Sequence, residues 1–158
     1  MSNKPNIIVF FTDQQRWDTS GLHGNPLLLM ENFDRGAQEG THIFNSFTCQ
    51  PVCGPARASF QTGMYATKTG NFRNHISLDN KFKTMAHYLS EKGYETGYIG
   101  KWHLGSSDPV VKTERGGYDY WLGSNLLEFT SDSYDTIVYD KQNNKVKLPG
   151  YRIDAIVD

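Results

Sequence analysis

The sequence has little cysteine, no excess of charge and no long apolar run, and each shortage closes off a class of protein. Its two cysteines, Cys49 and Cys53, are too few for a disulfide-stapled scaffold in 158 residues, and no second Cys/His pair stands at zinc spacing. Sixteen Lys and Arg against 17 Asp and Glu leave a formal charge of −1. Charge therefore points to no nucleic acid and no membrane partner. The apolar run Ile7 to Phe11 is shorter than the ~7–15-residue core of a secretion signal, and no stretch approaches the ~20 residues of a membrane span. As given, the chain reads as cytoplasmic, although a removed export signal replaced by an initiating Met would leave the same text. What is present, 37% apolar with 13% aromatic residues, suffices for a core and argues against disorder.

The run Asn6-Ile-Ile-Val-Phe-Phe11, bounded by Pro5 and by Thr12-Asp13, predicts a strand buried on both faces, with Asp13 at its C-terminal end. A helix is expected over about Asn32–Glu39, stopped by Gly40, and the alternation in His42 to Thr48 predicts a second strand. Pro55 suits the first position of a helix continuing to Gly63, which puts Cys53 just before a helix N-terminus. Thr84 to Lys92 places Met85, Tyr88 and Leu89 on one helical face with Gly93 as stop. Glu95 to Ile99 follows as a strand, leaving Lys101 and His103 just beyond its end. This β-α-β-α-β rhythm predicts an α/β fold with a mostly parallel sheet flanked by helices, whose ligands bind beyond the carboxyl ends of the strands. Asp13, Cys53, Lys101 and His103 all map to that edge. Past Gly116, Thr136–Tyr139 and Lys145–Leu148 flank an Asn-Asn turn and predict a peripheral hairpin. Ile153, Ile156 and Val157 form an amphipathic stretch that ends at Asp158 without a stop signal, as if inside a helix.

Cys53-Gly-Pro-Ala-Arg57 is the strongest local signal: a small nucleophile-type residue, a helix-starting proline and a cation one helical turn away. It resembles the C-x-P-x-R motif with which the sulfatases direct oxidation of the cysteine to formylglycine (3-oxoalanine). The longer form matches from Pro51 to Thr62-Gly63, with Gln61 departing where the family usually has an apolar residue. A second family motif is met in full by Gly93-Tyr94-Glu95-Thr96-Gly97-Tyr98-Ile99-Gly100-Lys101-Trp102-His103. The opening Asn6 to Arg16 and the segment Gly116-Gly-Tyr-Asp-Tyr-Trp121 also look like family segments, so the resemblance covers roughly residues 5 to 123.

The resemblance implies the alkaline-phosphatase-like sulfatase fold, here the N-terminal part of one catalytic domain spanning 1–158. It also implies hydrolysis of a sulfate ester, of aryl or carbohydrate type, by a formylglycine gem-diol on a calcium ion, with magnesium the second choice. Asp13 resembles the family's first metal ligand. Gln14 stands where a second Asp is common, and the modified Cys53 is the third metal-bound residue. Alone, Asp13-Gln14 reads more readily as a turn or a helix-capping pair than as metal ligands. Arg57 would hold the diol through its fork of donors, Lys101 resembles the sulfate-binding lysine, and His103 resembles the histidine that contacts the formylglycine hydroxyl and assists sulfate elimination.

The expected partners are a sulfate-ester small molecule or sugar, a formylglycine-generating maturation enzyme, and the C-terminal part of the domain. That part normally carries the family's Asp-Asn or Asp-His metal pair, its leaving-group acid and a second lysine. Asp79-Asn80 lies between the two motifs and reads as a turn. His23, His42, His75 and His87 read as caps, surface or packing. By this count the chain alone is expected to be inactive. A phosphonate monoester or phosphodiester hydrolase of the same superfamily, whose opening Asp-Gln turn is similar, and a non-catalytic fragment are the alternatives.

Only Cys53 has Pro and Arg two and four residues on, so a maturation-competent host should convert Cys53 and leave Cys49 as a thiol. Peptide mass spectrometry should find a loss of about 18 Da at Cys53 alone, and an unmodified Cys53 from such a host would contradict the motif reading.

Overall fold

A mixed four-stranded sheet organises the larger of two units in this computed structural model, which describes residues 4–157. The first unit runs to Phe47 and the second starts at Thr48.

In the first unit, two 3₁₀ turns, Trp17–Thr19 and Gly21–His23, precede helix α1 (Glu31–Glu39). Asp34 of α1 ties the turns down: its carboxylate accepts the Ser20 hydroxyl at 2.5 Å and the Gly21 N–H at 2.9 Å. These bonds, the Ser20 hydroxyl first, hold its carboxyl below the usual carboxylate range. Trp17 stacks on His23 with ring centroids 3.9 Å apart, and Phe44 meets both rings edge-on. The expected helix is thus present, but neither expected strand is. Residues 6–11 and 42–48 are irregular, with Ile8 90% and Phe47 95% exposed. A strand needs a ladder partner as well as an apolar pattern, and no strand is seen in this unit among the described residues.

The second unit carries helices α2 (Cys53–Thr62), α3 (Ala66–Thr69) and α4 (Met85–Ser90). Strands β1 (Gly97–Lys101) and β2 (Tyr120–Ser124) follow, then the short helix α5 (Leu127–Thr130), β3 (Thr136–Tyr139), β4 (Lys145–Leu148) and α6 (Arg152–Val157). The sheet order is β1-β2-β3-β4. Only β1 and β2 are parallel, whereas β2-β3 and β3-β4 are antiparallel, so the α/β fold holds while the sheet is mixed rather than mostly parallel. The hairpin falls where the Asn-Asn turn predicts, with Asn143 at φ 68°. In α6, Ile156 is half-buried and Ile153 and Val157 are exposed; Asp158, where the helix was expected to run on, lies outside the described residues.

The core joins Ala58 of α2 to Leu78, Trp102, Leu104, Val110 and Trp121, with Phe82, Tyr98 and Tyr118 packed against it. Tyr98 stacks on Trp121 with centroids 5.2 Å apart and meets Trp102 edge-on at 4.9 Å. One close approach sets the sheet: a Cβ on Gly123 would stand 2.7 Å from the Gly100 carbonyl, and Gly100 itself has φ +104°. Glycine at both positions lets the strands pair in the register Gly100↔Gly123 and Lys101↔Ser124. Asp119 links the two strands' entries by accepting both the N–H and the hydroxyl of Thr96 at 3.0 Å. Among the described residues no helix is long and apolar enough to cross a membrane.

Thr84 caps α4 in a reciprocal box with His87, and its hydroxyl also reaches the Gly116 carbonyl. The side chain is fully buried, so Thr84→Ala removes a cap and leaves a buried carbonyl without its donor. The expected loss is about 1–2 kcal/mol, read as a lower urea midpoint with an unchanged slope; an unchanged midpoint would refute it.

Candidate active site

Helix α2 begins at Cys53 itself, with Val52 extended before it and Pro55 at the third helical position. The motif therefore forms the first turn, whose N–H groups have no partner within the helix. The Gly54 N–H is met by the Asn74 side-chain oxygen at 2.8 Å, and a Cβ on Gly54 would stand 3.1 Å from that oxygen, which explains the glycine beside the cysteine. Gly63, at φ +68°, ends the helix. Cys53 is a half-buried thiol and Cys49 an exposed one, the latter 2.8 Å from the Ser59 hydroxyl.

Arg57 lies one turn on from Cys53 and is buried. Its guanidinium donates at 2.6 Å to the main-chain carbonyl of Lys101, and the Tyr98 hydroxyl donates to the same oxygen. The nucleophile helix is thereby fastened to the carboxyl end of β1. Lys101, the last residue of that strand, holds an ion pair with Glu128 of α5 at 2.8 Å; the lysine side chain is 12% exposed and the glutamate 39%. Beyond the strand, the ladder continues irregularly, with Trp102 N–H donating to Ser124 and His103 N–H to Asn125, both at 2.8 Å.

His103 is the unusual residue of the site. It is 5% exposed, its φ is +58°, and both ring nitrogens are buried without a hydrogen-bond partner among the described residues. A left-handed non-glycine backbone costs about 1–3 kcal/mol, and two unmet buried polar atoms add to that. Its ring faces His75, itself at φ +64°, with centroids 5.9 Å apart. Burial, then the neighbouring charge of Lys101, pushes the His103 imidazole below its ordinary pKa, with Arg57 and His75 adding to the effect and Glu128 opposing it. For Glu128, burial pushes the carboxyl up, but the hydrogen bond from Lys101 and the adjacent charges bring it below its usual value.

Of the six residues singled out in the sequence, the structure brings Arg57, Lys101 and His103 together. Cys53 opens the helix that carries Arg57, and its neighbour Gly54 is joined through Asn74 to the loop that bears His75. Asp13 and Gln14 lie in the first unit, on an exposed bend with Gln14 at φ +50°, and not at the end of a strand. Asp79-Asn80 is a turn, Asp79 accepting the Lys81 N–H at 3.0 Å, and His87 is a cap. Three contributors escaped the sequence reading. His75 was expected at a cap, on the surface or in packing, yet its ring faces His103. Asn74 had no signal at all. Glu128 had one, an acid just past the carboxyl end of β2, where sheet-edge ligands gather.

Carboxylate and amide oxygens are the right donors for a hard cation such as calcium, which takes about 6–8 oxygens. Asp13 and Gln14 fit in kind but supply only part of such a shell. Among the described residues, no group of three or more His, Cys, Asp or Glu could hold a metal ion.

The sulfatase family model matches residues 5–157, and the chain belongs to the sulfatase family. It is 38% identical to an ulvan-active sulfatase of Formosa agariphila over 98% of this chain and 30% of that protein. It is 31% identical to an N-acetylglucosamine-6-O-sulfatase of Bacteroides thetaiotaomicron, over 99% of this chain and 27% of that one. A solved structure of a protein in complex with its substrate D-glucosamine-2-N,6-O-disulfate superposes with a TM-score of 0.83 at 30% identity, covering 96% of this chain and 29% of that chain. The fold is that of the alkaline-phosphatase-like sulfatases, and the chain spans about 30% of the length of the relatives it matches.

The lowered His103 pKa has a visible consequence. Its ring should titrate below the ordinary midpoint of about 6.5. Because the unfolded imidazole takes a proton near that value and the folded one resists it, stability is full above pH ~6.5 and falls as the pH drops toward the folded midpoint. Ring-proton NMR across this window checks it; a His103 midpoint at or above the ordinary value would overturn the assignment.

Proposed function

We propose that this chain is the N-terminal part of a catalytic domain that hydrolyses sulfate esters, with a sulfated carbohydrate as the substrate class. The observation that carries the reading is His103: a strained, buried imidazole with no partner for either nitrogen among the described residues, beside a lysine and an arginine. A sulfuryl group offers only acceptor oxygens and negative charge, which this combination suits. The carbohydrate preference rests on the named sugar substrates of the relatives.

In this reading Cys53, matured to formylglycine, supplies a hydrated aldehyde as nucleophile. Arg57, fixed by the Lys101 carbonyl, would orient the nucleophilic residue one turn before it. The Lys101 ammonium binds a sulfuryl oxygen. His103, kept neutral near pH 7, presents one N–H and one lone pair, so it can steady a hydroxyl and take up its proton as sulfate leaves. When bound, a calcium ion held in part by Asp13 and Gln14 would neutralise sulfuryl charge and make the nucleophilic hydroxyl more acidic. Its other ligands, and the acid that protonates the leaving alcohol, would come from the remainder of the domain. Lys101 and His103 also favour sulfate over the phosphonate or phosphodiester alternative, whose enzymes tend to place uncharged hydroxyl side chains there.

The test is an aryl sulfate assay on formylglycine-bearing protein, comparing the 158-residue chain with the longer protein and with Cys53→Ala. The longer protein should turn over in a calcium-dependent way and Cys53→Ala should not. The short chain should show little or no activity, since loss of general acid catalysis alone is worth about 10²–10⁴-fold. Full turnover by the short chain would show its site to be complete; no turnover by the longer protein would refute the reading.

A further inference from the structure

We infer that Glu128 is the internal counter-ion of the sulfate site, a positioning residue that holds the Lys101 ammonium and competes with bound sulfate so that the product anion can leave. The inference rests on the reading of Lys101 as a sulfate-binding group and adds a residue that the motifs do not contain.

The geometry is specific. Lys101 closes β1 and Glu128 stands on α5, which begins three residues after β2, the parallel neighbour. The loop between is rigidly held: the Asp108 carboxylate accepts the N–H groups of Asn125 at 2.6 Å and Leu126 at 2.9 Å. The Asn125 side chain exchanges two 2.9 Å hydrogen bonds with the main chain of Gly105. Glu128 is therefore brought to Lys101 by an anchored backbone and not by a wandering surface side chain. The lysine is nearly buried while the carboxylate is more open, so the ammonium is the fixed member of the pair.

An ammonium has three donors and can hold Glu128 and a sulfuryl oxygen together. The carboxylate nevertheless lowers the attraction for a second anion. That has a use, because hydrolysis converts a sulfate monoester into free sulfate of higher charge, and a buried cation cluster of Arg57 and Lys101 without compensation would retain it. Glu128 offsets that retention and keeps Lys101 in place when no anion is bound.

The experiment measures inhibition by inorganic sulfate, with KM and kcat, in the longer formylglycine-bearing protein and its Glu128→Gln and Glu128→Asp variants. Direct calorimetric binding of inorganic sulfate is measured in parallel. Glu128→Gln keeps the shape and an acceptor oxygen but removes the charge, so sulfate should bind about 3–10-fold tighter. KM should fall with it, and kcat should fall where sulfate release limits turnover. Glu128→Asp should stay within about twofold of the wild type. Should Glu128→Gln misfold, Glu128→Ala gives the same comparison. Unchanged or weaker sulfate binding in the uncharged variants would overturn the inference while leaving the proposed function intact, provided the wild type hydrolyses sulfate esters. Tighter sulfate binding in a protein that hydrolyses no sulfate ester would keep the counter-ion and remove the proposed function. No sulfate binding by either form would overturn the inference, and absence of ester hydrolysis by the wild type beside it would remove the proposed function as well.

Discussion

The bond from the Arg57 guanidinium to the Lys101 carbonyl is the contact on which the second unit's site depends. A buried guanidinium must place its donors, and here one goes to the carbonyl that ends β1. It joins the two sequence motifs through main chain, so the helix opened by Cys53 and the strand carrying Lys101 and His103 cannot shift independently. Tyr98 donates to the same oxygen and stacks in the Trp102–Trp121 cluster. The site is thus built directly on the aromatic core, and lysine at position 57 would reproduce the charge without the fork.

A second constraint is backbone proximity. The Gly100–Gly123 approach sets the β1-β2 register, and that register brings Lys101 beside Ser124 and His103 beside Asn125. The left-handed turn of His103 follows from leaving the strand while its N–H still pairs with the neighbouring chain. Strain at His103 and the glycine pair are two ends of one device: close pairing delivers the histidine inward, and the surrounding hydrogen bonds hold it there.

The sequence was most legible where the signals are local. Helices α1, α2 and α4 follow from their glycine stops, Pro55 and the shared face of Met85, Tyr88 and Leu89, and the β3-β4 hairpin from its Asn-Asn turn, each within about two residues of the expected bounds. The runs Asn6–Phe11 and His42–Thr48 misled because an apolar pattern states which faces seek cover, not whether a partner strand is at hand. In the site, Arg57, Lys101 and His103 were readable as motif members. Glu128, His75 and Asn74 were not, because only the fold brings them to the motifs from other loops and helices. Gln61 is instructive in another way. It departs from the apolar residue usual in the family, and the structure supplies its compensation, a 2.9 Å hydrogen bond from the Tyr118 hydroxyl. Burial raises the pKa of that tyrosine, with the Gln61 bond opposing, so the phenol stays protonated and the buried amide is satisfied.

The charge arrangement also explains a division of labour. Lys101 and Arg57 place two cationic side chains beside His103. A third buried cation next to them would be repelled, and His103 is the group able to yield by releasing its proton. Its depressed pKa follows from being the weakest base among fixed cations in a desolvated place. In the proposed reading the two cations are left to balance anionic oxygen, and the imidazole, its pKa lowered by burial and by their charge, is left uncharged to give or take a proton at neutral pH. Glu128 acts from the other side: its negative charge opposes the lowering of the imidazole pKa. Removing the charge of Lys101, Arg57 or Glu128 alters the protonation of His103, so their contributions to it cannot be assigned independently.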